Sequence, residues 1–85
     1  MLWQTGDLLV QRMVSHGHTT DWMTQSFDEW VLLVQGEAEI AYKNGDVAAL
    51  TRGDTLLIPA GVCHRVSKTS EEPPCVWVCL CKGGM

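Results

Sequence analysis

Residues 53–64 read Gly-Asp-Thr-Leu-Leu-Ile-Pro-Ala-Gly-Val-Cys-His. Gly53-Asp54 is a turn pair, and Thr55 to Ile58 is a short β-prone run. Pro59-Ala60-Gly61 is a further bend. His64 to Lys68 then opens another strand. Turn, strand, bend, strand within so few residues is the grammar of an all-β chain.

The rest of the sequence repeats it. Glu37 to Lys43 alternates, with Ala38, Ile40 and Tyr42 on one side and Glu37, Glu39 and Lys43 on the other, which is the period of a half-buried strand. Asn44-Gly45 follows, and both residues suit the positive φ of a type I′ turn. Asp46 to Thr51 is therefore expected to return antiparallel. Leu8 to Ser15, the apolar run Trp30 to Val34 and Val76 to Cys81 are further strands. In the last of these Val76 and Val78 are assigned to the core, with Trp77, Cys75, Cys79 and Cys81 outward, as a subunit contact would have them. Ser70 to Pro74 is a polar loop. Seven or so short strands without a long amphipathic helix predict a sandwich or barrel, built as one domain over residues 1–85.

The formal charge of −4 and the scattering of the six basic residues exclude a phosphate-binding patch, so no nucleic-acid partner is expected. No basic leader precedes an apolar run, and the longest uninterrupted apolar run is Trp30 to Val34. The expectation is a cytoplasmic protein without a membrane span. The four cysteines show no Cys-x-x-Cys spacing, so reduced thiols are expected, with no role assigned to Cys63, Cys75, Cys79 or Cys81.

The chain holds three histidines. His16 and His18 would share a face of an extended strand and suit chelation; His-Gly-His-Thr-Thr reads equally as a solvated turn. His64 stands alone, as either a ligand or a hydrogen-bonded structural residue. Parity aligns Glu29 with Val31 and Leu33, which points its carboxylate inward unless it sits at the strand's wet mouth. An inward carboxylate must be paired or coordinated.

With these residues in view, the sequence resembles the cupins. Residues 53–64 match the second cupin motif: Gly, five residues, Pro-x-Gly, two residues, His. The first motif is His-x-His, a gap, Glu, six residues, Gly, matched by His16-Gly17-His18, Glu29 and Gly36. The gap from His18 to Glu29 is ten residues, where the family usually has about three or four, so residues 19–28 are read as an enlarged loop at the barrel mouth. Val10 replaces the glycine that opens the first motif, and Lys68 the asparagine that closes the second.

The resemblance implies a double-stranded β-helix, or jelly-roll, barrel. It implies a divalent first-row metal (Fe, Mn, Ni, Co or Zn) held by His16, His18, Glu29 and His64, with open positions for water or substrate. It also implies a small-molecule pocket, for which Trp22, Met23 and Phe27 are lid candidates or, equally, an interface patch. A homodimer is expected, because family members often carry more N-terminal strand. The expected function is a metal-binding cupin acting on a small molecule as oxygenase, isomerase or hydrolase. The alternatives are a ligand- or metal-sensing module without turnover, and a structural oligomerisation domain. Neither substrate nor catalytic residue is legible.

Overall fold

The computed structural model describes residues 3–83. They form eight strands: β1 (Trp3–Thr5), β2 (Leu8–Ser15), β3 (Asp28–Gln35), β4 (Glu37–Tyr42), β5 (Val47–Thr51), β6 (Thr55–Ile58), β7 (His64–Thr69) and β8 (Cys75–Lys82). No helix is present among the described residues. All ladders are antiparallel, in a five-stranded sheet ordered β1-β2-β8-β3-β6 and a three-stranded sheet ordered β5-β4-β7. This is the expected double-stranded β-helix.

The chain passes from the large sheet to the small one at Gly36, between β3 and β4. Its φ is +88°, and a Cβ there would collide with the Ser70 hydroxyl and stand 3.0 Å from the Pro74 carbonyl oxygen. Only glycine satisfies both the left-handed backbone and the close approach.

The core fills the space between the sheets: Val31 and Leu33 from β3, Ala38 and Ile40 from β4, Leu50, Ile58, and Cys75, Trp77 and Cys79 from β8. The expected orientation of β8 is therefore reversed. Trp77 is 3% exposed and Cys75 and Cys79 are 0% exposed. β8 lies between β2 and β3 in the middle of the large sheet, and the outer face of that sheet is also apolar. A strand that is apolar on both faces gives parity no polar side to read.

The hairpin of β4 and β5 pairs as expected, Ala38 opposite Leu50 and Ile40 opposite Ala48. Its turn is not type I′, because Gly45 (φ +101°) is left-handed while Asn44 is not. The Gly45 N–H bonds the Tyr42 carbonyl at 2.9 Å, and the Tyr42 N–H bonds the Asp46 carbonyl at 2.8 Å. That is a type I turn closed by a left-handed glycine. Asn44 Oδ1 accepts the Asp46 N–H at 2.9 Å instead of entering the turn as a left-handed residue.

The segment before β3 is not a loose loop. It runs antiparallel along β7 from the far end to the near one. Thr69 Oγ1 donates to the His18 carbonyl at 2.7 Å. Thr20 N–H donates to the Val66 carbonyl at 3.0 Å, and Val66 N–H to Thr20 Oγ1 at 2.9 Å. Met23 and His64 exchange both backbone bonds, at 2.8 and 3.0 Å. These contacts occupy the edge that β7 would otherwise leave unpaired.

Candidate functional site

A cavity of about 250 Å³ opens between the sheets. Its floor and sides are apolar: Met13, Val31, Ile40, Ile58, Val66 and Trp77, with Phe27 and Met23 from the segment ahead of β3. The polar groups that reach it are Gln11, Thr20, Gln25, Glu29 and His64, with the thiols of Cys79 and Cys81. No lysine or arginine lines it.

Glu29 is in β3 opposite Ile58 and Cys81 and faces inward with Val31 and Leu33. Burial raises its carboxyl pKa above the ordinary value; nearby His64 and a hydrogen bond from the Cys79 thiol pull it back in part. Burial pushes the Cys79 thiol up to about 12 and the Cys75 thiol up to about 11, so neither is a thiolate nucleophile at neutral pH. His64 begins β7 and is 2% exposed. Its Nδ1 lies 2.9 Å from the Val62 carbonyl oxygen, which can only accept, so Nδ1 carries the hydrogen. In the neutral ring Nε2 is then a lone pair.

Of the four side chains expected to meet on a metal, the structure brings together Glu29 and His64. His16 and His18 stand outside the cavity, both exposed. Their backbone is bent, with Gly17 at φ +72°, so the two rings do not share a strand face. His18 Nδ1 accepts the His16 N–H at 3.1 Å. His18 is anchored at the Thr69 end of β7, and His64 lies at the other. At ~3.3 Å per residue the ends of this strand are on the order of 17 Å apart. No ion bridges that span.

The burial alternation explains what replaces the pair. From Trp22 to Glu29 the residues alternate exposed and half-buried, so Met23, Gln25, Phe27 and Glu29 face in while Trp22, Thr24, Ser26 and Asp28 face out. A histidine pair separated from Glu29 by the family's usual three residues would occupy positions 23 and 25. Met23 and Gln25 stand there, and both line the cavity. A thioether and a neutral amide do not fit the metal that three imidazoles and a carboxylate would hold. Among the described residues no group of three or more His, Cys, Asp or Glu is arranged to hold an ion. The His-x-His spelling at 16–18 drew the ligand assignment away from this stretch. Strand parity counted back from Glu29 reaches Phe27, Gln25 and Met23 without it.

The lid candidates divide. Met23 and Phe27 line the cavity, whereas Trp22 is 40% exposed on the outside. Lys43 Nζ lies 4.6 Å and Arg65 Cζ 5.7 Å from the centre of its ring, which is cation–π distance.

Several solved structures share this architecture. A provisionally assigned mannose-6-phosphate isomerase from Ralstonia eutropha JMP134 is 30% identical, with a TM-score of 0.90 over 98% of this chain and 81% of that one. A cupin superfamily protein from Desulfitobacterium hafniense DCB-2 is 19% identical, with a TM-score of 0.83 over 96% and 72% of the two chains. A cupin-2 domain protein from Shewanella frigidimarina NCIMB 400 is 21% identical, with a TM-score of 0.77 over 93% and 74%. No curated protein matches the chain. Residues 9–81 match the Cupin domain family, and with the barrel, the Glu29 and His64 positions and these neighbours in place, the chain belongs to the cupins.

Proposed function

We propose that this cupin is a small-molecule-binding protein whose pocket works without a resident metal. One observation carries the reading: a cavity of about 250 Å³ in which Glu29 and His64 are accompanied by Met23 and Gln25, not by a histidine pair. The pocket is poorly suited to the sugar phosphate that the Ralstonia relative's name implies. A sugar phosphate entering this cavity would meet the Glu29 carboxyl group and no lysine or arginine.

Metal affinity tests the reading. Purified wild type dialysed against Zn²⁺ or Co²⁺ and then buffer is expected to retain less than about 0.1 equivalent. The Met23→His/Gln25→His double variant, which completes three imidazoles and a carboxylate, is expected to retain about one. Stoichiometric metal on wild type, lost in His64→Ala, would overturn the proposal.

The expected homodimer belongs to the same reading. On the outer face of the five-stranded sheet, Trp3, Val10, Leu80, Trp30 and Leu57 form one row across all five strands. Beside it runs Arg12, Val78, Leu32 and Thr55. Five strands ~4.8 Å apart and up to eight residues long at ~3.4 Å give a plane of roughly 600 Å². That approaches the ~800 Å² per partner of a standard interface. Lys82 sits between Leu8 and Asp28 on the same face, so both charge signs are present for a two-fold copy to pair with. The four free thiols support the cytoplasmic location.

A further inference from the structure

A second cavity, of about 210 Å³, adjoins the first. Gln11, Phe27 and Cys81 line both, so these three side chains form the divide between two chambers. The floor is continuous across it. Leu9, Gln11 and Met13 share one face of β2, and opposite them on β8 stand Cys81, Cys79 and Trp77. Leu9 belongs to the second chamber, Gln11 to both and Met13 to the first. At ~3.4 Å per residue this row is roughly 14 Å long. A dry cavity of ~150 Å³ already holds benzene, so a single ring occupies one chamber and leaves the other to water. An unbranched chain fills both.

The charges in and around the chambers constrain the rest of the ligand. Glu29 and His64 reach the first chamber from β3 and β7, off the β2 row. The charge of His64 and the Cys79 thiol already answer the Glu29 carboxyl, so the pair needs nothing from a guest. No lysine or arginine among the described residues lines either chamber. At the outer end of the second, the turn between β1 and β2 presents exposed Asp7 beside exposed Gln4. An anionic head would meet Asp7 there as a like charge.

Resting on the small-molecule reading above, we propose that the ligand is a single-chain amphiphile: its unbranched aliphatic tail threads past Phe27 through both chambers, and a head that is not an anion stays in water beside Asp7.

Calorimetric titration of the full chain with 1-butanol, 1-hexanol, 1-octanol and 1-decanol tests the tail. Each added methylene is expected to tighten binding about fourfold to the end of the series. Cyclooctanol cannot pass the divide, and losing the second chamber's burial is expected to weaken it about tenfold relative to 1-octanol. Decanoate is expected to bind more weakly than 1-decanol. Leu9→Trp fills the second chamber; it is expected to hold 1-butanol affinity within about twofold while the rise stops at 1-hexanol. Cyclooctanol binding as tightly as 1-octanol would overturn the linear ligand and leave the pocket reading standing. So would a wild-type series that levels off at 1-hexanol, a preference for decanoate, or a rise that persists in Leu9→Trp. The wild-type comparisons decide the matter even where that variant fails to fold. No binding of any probe would overturn both readings.

Discussion

At the scale of single residues, Glu29 decides the character of the pocket. Its carboxyl pKa is raised by burial, so the folded chain binds that proton more tightly than the unfolded chain does. The stability this confers is full below the unfolded carboxyl pKa and is lost as pH rises through the higher folded value. Glu29→Gln keeps an acceptor for the Cys79 thiol and removes the cost of burying the charge. The variant is expected to melt close to wild type near pH 4 and about 4 °C above it at pH 8, followed by circular dichroism. A gap that shrinks with rising pH would mean the carboxylate is satisfied inside. Glu29's inward direction was legible only in part: Val31 and Leu33 share its parity, but Trp30, Leu32 and Val34 on the other face are apolar too. Trp77's was not legible, because Val76 and Val78 on one face and Cys75 and Cys79 on the other are all compatible with burial.

At the scale of elements, the segment His16 to Phe27 is where local pattern and tertiary contact diverge. His-Gly-His looks like a chelating pair, yet Gly17 bends the chain and Thr69 fixes His18 at the wrong end of β7. The inward residues Met23, Gln25 and Phe27 carry no metal-ligand signature, so only the alternation leading into β3 marks them. The second motif, by contrast, is contiguous and turn-rich, and its turn, strand and bend could be read in place. Thr20 is the clearest peg on this segment. Thr20→Val keeps the volume but leaves the Val66 N–H without its 2.9 Å partner. The variant is expected to lose about 1–2 kcal/mol in urea unfolding, with faster hydrogen exchange at Val66 and Met23. Unchanged exchange would mean the segment is held by its apolar side chains alone.

At the scale of the whole molecule, the balance is tight. A chain of 85 residues has a small core to set against its entropy, and its cysteines are free thiols, so no disulfide supplements it. Pairing through the outer face of the large sheet would supply the missing burial. Wild type is expected to scatter light at twice the chain mass at tens of micromolar. Leu57→Lys, at a position 56% exposed in the single chain, is expected to run at the monomer mass with its barrel intact by circular dichroism. A monomeric wild type would refute the pairing.

The strip that docks on β7 supplies Thr20, Met23, Gln25 and Phe27 to the chamber, while the ladders between the eight strands do not include it. Framework and selectivity are thus written in separate stretches of the polypeptide. Residues inserted, deleted or exchanged between His18 and Asp28 would remodel what the chamber admits while every interstrand register is kept. A library confined to that stretch is the economical way to retune this protein's choice of guest.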